Sequence, residues 1–195
     1  MTIDQTTAPA ITRRSGGAEV PVAGTWTIDA GHTSVEFIGR HFMLTKIRGR
    51  FVGVSGVVVI GQDPADSSVE VTIDMASVES GSAERDAHLR SADFFDVEHH
   101  PEATFRSTSV DWHGTEAVVR GDLTIAGTTH PVDLQVSFVG ATPDPWGNQR
   151  AVFSAVADVD REDWGLTWNM PLAAGGLLVS KRIQLEIQSE LVLQA

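Results

Sequence analysis

The chain has 195 residues, no cysteine and a formal net charge of -12, and 42% of its residues are hydrophobic. This length and composition suit one globular domain. The acidic balance argues against nucleic-acid binding and against stable attachment to anionic lipid surfaces, and the lack of cysteine excludes disulfides and thiolate chemistry. No run approaches the roughly 20 apolar residues of a membrane span, so no stable membrane insertion is expected.

The first 23 residues, "MTIDQTTAPAITRRSGGAEVPVA", are rich in Thr, Ala, Pro, Gly and Ser and show no periodic apolar pattern. This composition predicts a disordered N-terminal tail over residues 1–23, followed by one folded domain over residues 24–195. The segment also lacks the apolar stretch of a secretory signal, so we expect a cytoplasmic location.

Alternation of apolar and polar residues begins after Gly24. In "VEVTIDM", residues 69–75, the apolar side chains share one face, and "VDLQVSF" (132–138) and "IQLEIQ" (183–188) repeat the pattern. Shorter or noisier strand-like runs are Thr25–Asp29, Ser34–Ile38, Ile47–Ile60, Thr104–Trp112, Val118–Ile125 and Val152–Val159. Turn sequences rich in Gly, Pro and Asp separate these runs. The pattern therefore predicts an all-β protein, an antiparallel sandwich or barrel.

One segment, "SGSAERDAHLRSADFF", interrupts the strand pattern. Ser82 can cap the amino end of a helix, and good helix formers follow it. Pro101 then stops any helix and restarts extended chain. We expect one helix of two or three turns, lying over one end or flank of the sheet.

Histidine offers the best case for an enzyme. His88, His99 and His100 lie among acidic residues, a mixture that could ligate a divalent metal. Adjacent His99 and His100 would point opposite ways in extended chain, so only one of them could face a given site. The alternative is structural, with one histidine bonded to backbone and the other in water. We assign no catalytic residue, no metal ligand and no required cofactor.

Aromatic residues pose a second choice. Phe94 and Phe95 either close the base of a solid core or line an apolar cavity, and the five tryptophans raise the same question. The apolar segment Trp164–Val179 is either the lip of a ligand cavity or a buried loop over an open barrel end. The residues alone leave these alternatives open.

Four phrases, taken in order, resemble the YceI-like, polyisoprenoid-binding family. They are "WTIDAGHTSVEFIGRHFMLTKIRGRF", "VTIDMASVESGSAERDAHLRSADFFDVEHHPEATFRST", "VRGDLTIAGTTHPVDLQV" and "DREDWGLTW". Together they extend the resemblance over essentially everything from Gly24 to Val192. The resemblance implies a lipocalin-like antiparallel eight-stranded β-barrel with one short helical segment and an apolar interior tunnel. It also implies a bound isoprenoid or similar long-chain amphiphile, and a possible homodimer.

The resemblance suggests a protein that sequesters or carries such a lipid, for example a polyprenyl phosphate or an isoprenoid quinone. The alternatives are an enzyme acting on that lipid, a His/carboxylate metal-dependent activity, and a filled barrel with a protein partner. Arg40 and His41 are candidates for contacts with the lipid head, with Arg85 and His88 behind them, unless they form surface salt bridges. The full set of candidate ligand-binding residues is Phe37, Arg40, His41, Phe42, Leu89, Phe94, Phe95, Phe105, Trp164, Leu166 and Trp168.

Overall fold

The computed structural model describes residues 10–173 and 175–194. Within these ranges the chain forms thirteen strands and one α-helix. The strands are β1 Thr12–Ser15, β2 Ala18–Pro21, β3 Gly24–Ile28, β4 Ser34–His41, β5 Thr45–Phe51, β6 Val54–Ile60, β7 Ser68–Asp74, β8 Val78–Glu79, β9 Glu102–His113, β10 Glu116–Ile125, β11 Thr128–Pro143, β12 Gln149–Asp160 and β13 Arg182–Leu193. The helix α1 spans Ala83–Arg90, and short 3₁₀ turns lie at Ala30–His32, Pro64–Asp66, Met75–Ser77 and Arg161–Trp164.

Eleven of the strands form a closed antiparallel barrel. The barrel has eight strand positions around its ring, here called staves, and each stave lies beside the one that precedes it in the chain. Three staves are each built from two consecutive strands, β3 with β4, β5 with β6, and β7 with β8. Strands β9 to β12 follow in order, and β13 closes the ring by pairing with β12 on one side and with β3 and β4 on the other. The predicted eight-stranded antiparallel barrel with one short helix is confirmed.

The second and third staves are each interrupted once, and hydrogen bonds join the two interruptions. The interruption in the second stave divides one predicted run into two strands. The sequence pattern gave Ile47–Ile60 as a single run, but Val52 and Gly53 interrupt it. The Gly53 N–H donates to Ser77 Oγ at 2.9 Å, and the Asp74 N–H donates to the Gly53 carbonyl at 2.7 Å. A Cβ at Gly53 would lie 2.9 Å from Asp74 Cβ, so this close approach of two staves requires glycine.

Alternation along the staves points one set of side chains into the barrel. On β9, Ala103 and Phe105 are buried, and so is Val110. The buried side chains of β9 thus change from odd-numbered to even-numbered positions. The change occurs at a bulge, where Arg120 and Gly121 of β10 pair with Ser109 and Ser107. A bulge inserts one residue and so shifts the inward face by one position.

The helix begins where its sequence predicts but ends before the Phe94-Phe95 pair that the expected segment included. The Ser82 side chain accepts a hydrogen bond from the Arg85 N–H, and the helix ends at Arg90, so Phe94 and Phe95 belong to the turns that follow. Leu89 is its one fully buried residue and packs into the main core. No helix in the described ranges is long and apolar enough to cross a membrane.

The expectation of a disordered tail over residues 1–23 needs correction in the part that the structure describes. Strands β1 and β2 form a hairpin, and Val20 and Pro21 are buried. The Arg13 guanidinium anchors the hairpin by donating to the Gly61 and Gln62 carbonyls, each at 2.5 Å. Residues 1–9, on which the expected cellular location also depends, lie outside the described residues.

The barrel interior contains two apolar clusters. The larger one includes the inward face of α1 and most of the staves. The smaller one, around Trp26, Ile60 and Leu191, lies beside the hairpin and receives Ile11 and Val22 from it. The hairpin and α1 therefore pack at opposite ends of the barrel.

Beside the smaller cluster, Arg150 joins four elements through ion pairs. Its guanidinium lies 2.6 Å from the Asp29 carboxylate, 2.9 Å from Asp144 and 2.9 Å from Glu190. The Arg150 side chain is only 15% exposed, so these pairs are partly shielded from water. The network fastens β3, β13 and the β11–β12 turn to the start of β12.

Candidate functional site

The barrel interior is hollow, with two cavities in series. The larger has a volume of about 350 Å³, and the smaller about 150 Å³. Their order follows from β13, where Ile183 lines the larger cavity, Leu185 lines both, and Ile187 and Leu191 line the smaller. The volume of the larger cavity falls within the range of small-ligand pockets.

The tunnel formed by the two cavities runs along most of the barrel. From Ile183 to Leu191 the inward face of β13 extends over about 26 Å of strand, at 3.3 Å per residue. Val35, Ile73 and Leu123 line both cavities, as Leu185 does, so the two cavities adjoin and these four side chains form the boundary between them. An eight-stranded barrel has room for either packed side chains or one slender ligand, and here it leaves room for the ligand.

Three phenylalanines form one wall of the larger cavity. The ring of Phe51 lies 5.6 Å from the rings of both Phe37 and Phe95, and the Phe37 and Phe95 rings are 6.3 Å apart. Phe37 lies across Gly49 on the neighbouring strand, where a Cβ would overlap its ring. These contacts fix the wall without filling the space in front of it.

A second aromatic group lies where α1 meets the segment after β12. The His88 ring contacts Trp168 at 4.5 Å and Phe94 at 5.0 Å between centroids. All three residues are half-buried and line the larger cavity. His88 Nε2 is also 2.9 Å from the Asp93 carboxylate, which orients the imidazole.

The polar part of the larger cavity carries positive charge. Its titratable lining residues are Arg40, His41, Arg85, His88 and Arg161, and none of the lining residues is acidic. Arg85 is held by Ser80, whose hydroxyl and carbonyl accept its hydrogen bonds. Arg40 is exposed, and its backbone pairs with Ser180. The smaller cavity has no charged residue in its lining.

Arg161 stands apart because it is buried, with 5% of its surface exposed. Its Nε donates to the Ser180 carbonyl at 3.1 Å and its Nη1 donates to the Leu166 carbonyl. Its Nη2 has no hydrogen-bond partner in the described part of the chain. Burial lowers the pKa of the Arg161 guanidinium, since the charged form is poorly solvated there. The sequence analysis missed this residue because an arginine among acids is typical of a surface ion pair.

Ten of the eleven candidate ligand-binding residues line the tunnel. Phe105 lies on the smaller cavity. Nine lie on the larger cavity, namely Phe37, Arg40, His41, Leu89, Phe94, Phe95, Trp164, Leu166 and Trp168. Phe42 needs correction, because it lines neither cavity, is 47% exposed and stacks on His41 with ring centroids 3.9 Å apart.

The histidines after the helix lie away from both cavities. His99 Nδ1 is 2.9 Å from the Asp96 carboxylate, and this hydrogen bond raises the pKa of His99. His100 is half-buried and packs against Gly127. In the described ranges, no group of three or more His, Asp or Glu side chains is arranged to hold a metal ion.

The segment Trp164–Val179 contributes to the wall, as one of the two sequence interpretations proposed. Trp164 is buried and its Nε1 donates to the Leu123 carbonyl at 2.9 Å. Leu166, Trp168 and Leu178 line the larger cavity, while Met170 is 52% exposed. The segment thus has a buried face on the cavity and an exposed face beside it.

Comparison with known proteins gives one family. The family model of the YceI-like domain matches residues 26–191. Protein YceI of Escherichia coli is 40% identical over 148 residues, which are 74% of this chain and 78% of that protein.

Solved structures agree with the sequence match. The Campylobacter jejuni YCEI protein is 26% identical with a TM-score of 0.69, over 80% of this chain and 90% of that one. A polyisoprenoid binding domain from Saccharophagus degradans is 15% identical with a TM-score of 0.68, over 89% of this chain and all of that one. At that identity the second likeness concerns the fold alone.

Proposed function

Because the chain belongs to the YceI-like domain family, we propose that it binds one isoprenoid chain, or a similar long-chain amphiphile, inside its barrel and sequesters or carries it. The proposal is for a binding protein and assigns no catalytic residue. A polyprenyl phosphate and an isoprenoid quinone are two examples of a ligand with an apolar tail and one polar end. A solved domain of the same fold is described as polyisoprenoid-binding, which supports this choice.

The observation that carries the proposal is the apolar hollow along the barrel, which consists of two adjoining cavities. Its two cavities share lining residues, and its walls in the smaller cavity are uncharged. Burying a CH₂ group contributes about 0.8 kcal/mol, so each five-carbon unit adds roughly 3 to 4 kcal/mol before ordering costs. A few enclosed units therefore suffice for a ligand that remains bound through purification.

Organic extraction of the purified protein followed by mass spectrometry tests the proposal. We expect a polyprenyl or related long-chain mass at close to one per chain. The matched pair Leu185→Trp and Gln188→Trp gives the control, because Leu185 lines both cavities and Gln188 is exposed on the same strand.

Leu185→Trp should block the tunnel and remove the lipid, whereas Gln188→Trp should keep it. A native extract without lipid, together with no uptake of added isoprenoids, would show that the tunnel is not a lipid site. Equal lipid content in the two variants would place the lipid elsewhere on the molecule.

A further inference from the structure

Arg161 lies in the wall of the larger cavity and is held rigidly there. It begins the 3₁₀ turn that follows β12, and its backbone N–H donates to the Lys181 carbonyl at 3.0 Å. Two of its three guanidinium nitrogens donate to the Ser180 and Leu166 carbonyls. These bonds join the two ends of the segment between β12 and β13, and they fix the direction of the third nitrogen.

The third nitrogen, Nη2, is a buried donor without a partner in the described ranges. Buried polar groups in proteins are almost always hydrogen-bonded, so an orphan donor calls for an acceptor from outside the chain, such as a ligand, a water or an ion. Trp112 Nε1 in the smaller cavity is an orphan donor as well, but it is neutral, so the charge of Arg161 distinguishes the two positions. Arg161 as a residue lines the larger cavity, so an occupant of that cavity is the nearest source of an acceptor from outside the chain.

No described carboxylate forms a direct ion pair with Arg161, although the charges of Glu162 and Asp160 favour its charged form from a longer distance. The neighbouring carboxylates are engaged elsewhere, because Glu162 pairs with Lys181 at 2.6 Å and Asp160 accepts from the Glu162 N–H. A buried charge is costly unless it is paired, and an anionic ligand group would pair this one. A neutral acceptor would satisfy the hydrogen bond but leave the charge unpaired.

Charge along the tunnel gives the ligand a direction. The larger cavity has three arginines and two histidines in its lining and no acid, while the smaller one is lined by apolar and uncharged residues. A negatively charged head is therefore favoured at the end near α1, and an apolar tail at the end near the hairpin.

We propose that Arg161 binds the head group of the ligand, that this head is anionic, as a phosphate is, and that the tail runs from Arg161 towards Trp112 in the smaller cavity. The proposal rests on the proposed function, because it presumes an amphiphile in the tunnel. It assigns the head contact to a buried arginine, in place of the exposed Arg40 that the sequence favours.

Three probes with one tail and different heads test the wild-type protein, namely geranylgeranyl phosphate, geranylgeraniol and geranylgeranylamine. Titration calorimetry should show the phosphate binding about tenfold or more tightly than the alcohol, as a charge-assisted hydrogen bond predicts, and the amine binding most weakly. Equal affinity for all three would overturn the proposal and leave the proposed function standing. Failure of all three to bind would count against the proposed function itself.

Inorganic phosphate serves as a fourth probe, since it separates a lipid head from a free anion. We expect no measurable binding at the concentrations at which the lipid phosphate saturates, because the tail supplies most of the affinity. If inorganic phosphate bound as tightly as the lipid phosphate, Arg161 would belong to a free-anion site and the proposal would fail.

Arg161→Gln tests the residue directly, with Arg182→Gln as its matched control. Arg182 is exposed at the start of β13 and pairs with Asp158, so its replacement removes the same charge outside the cavity. Arg161→Gln should lose about tenfold or more in affinity for the phosphate and less than about threefold for the alcohol. Arg182→Gln should change neither. Equal losses for both probes in Arg161→Gln would mean that Arg161 only holds the wall in place, and if that variant does not fold, the wild-type head-group series decides.

Discussion

At the scale of single residues, two aromatic side chains of the same cavity have different roles. Phe95 is 8% exposed and packs against Phe37 and Phe51 in the main core. Trp168 is half-buried and contacts only His88 and Phe94 among the aromatic rings. Phe95 is thus both core and lining, whereas Trp168 lines the cavity from its rim.

Replacing each of them by alanine should separate lipid binding from folding. We expect Phe95→Ala to lower the free energy of unfolding by about 3 to 5 kcal/mol, as deletion of a buried aromatic ring does. Trp168→Ala should cost less stability and still reduce the lipid bound per folded molecule, because its ring covers the cavity. Urea unfolding and lipid extraction on the same preparations measure both quantities. An unchanged lipid content in Trp168→Ala would show that its ring is not part of the binding surface.

Sequence reasoning at this scale is limited by what the neighbouring loops do. The residues alone left Phe94 and Phe95 open between solid core and cavity lining, and the family resemblance was needed to expect them at the cavity. Phe42 was misplaced because it lies in the turn between β4 and β5, where its ring faces water. Arg161 was missed because burial of a charge is decided by the loops around it, which no local pattern reveals.

At the scale of elements, the ion pairs of Arg150 join β3, β12 and β13 beside the smaller apolar cluster. The hydrogen bond from Arg150 lowers the pKa of Asp29 to about 2 from its ordinary value of 3.8. Burial alone would raise the pKa of Asp144, but hydrogen bonds from Asn148 and Arg150 outweigh it and hold that pKa below its usual range. Both carboxylates are therefore ionised in the folded protein under conditions that protonate them in the unfolded chain.

This linkage predicts how stability depends on pH. Because the folded pKa of Asp29 is depressed, its contribution is present above about pH 4 and is lost as pH falls towards 2. Arg150→Met should lower stability above pH 4 and flatten the decline between pH 4 and 2. Urea unfolding from pH 2 to 6 checks this, with Arg182→Met as a control that leaves the network intact. Parallel curves for Arg150→Met and wild type would contradict the role of Arg150.

The N-terminal hairpin shows what a composition argument overlooks. Residues 12–21 contain Gly16 and Gly17, both with positive φ, between two short runs. A Gly-Gly pair is a typical two-residue hairpin turn, so the signal was present in the sequence. The stretch was interpreted as a tail because each arm is only four residues long and its apolar residues are few. Its stability depends on packing against the barrel, through Val20 and Pro21, which the sequence pattern does not encode.

For the molecule as a whole, the strand pattern predicted an antiparallel sandwich or barrel, and the family resemblance singled out the eight-stranded barrel. Period-two alternation was clear in β7, β11 and β13, shorter or noisier runs marked the other staves, and turn residues marked the joints between them. The tunnel is different, since the same alternation is compatible with a filled interior. Whether side chains meet on the barrel axis depends on their sizes and rotamers around the whole ring, for example on Phe37 occupying the space over Gly49. The expected homodimer stays a prediction, which sedimentation equilibrium would check.

The dimensions of the tunnel predict how affinity depends on tail length. Prenyl phosphates of two, three and four isoprene units should bind with steadily increasing affinity, because each unit buries about five more carbons. Once the tail exceeds the tunnel, which follows about 26 Å of β13, further units should add little. Calorimetric titration of the series measures this. Affinity that is independent of tail length would contradict tail burial inside the barrel.

The last strand in the chain, β13, closes the barrel, so the tunnel is enclosed only when β13 has paired. This stave joins the last neighbour, β12, to the first stave, so Ser189 meets Thr33 across 156 residues of chain. During synthesis, a chain that has not yet reached Arg182 has two unpaired sheet edges and no enclosed interior. Unpaired sheet edges tend to pair with other chains, and pairing between strands that are far apart in the sequence is slow. The proposed lipid can therefore be enclosed only after β13 has paired with both of its neighbours, and a chain that has not reached that point has two sheet edges open to self-association.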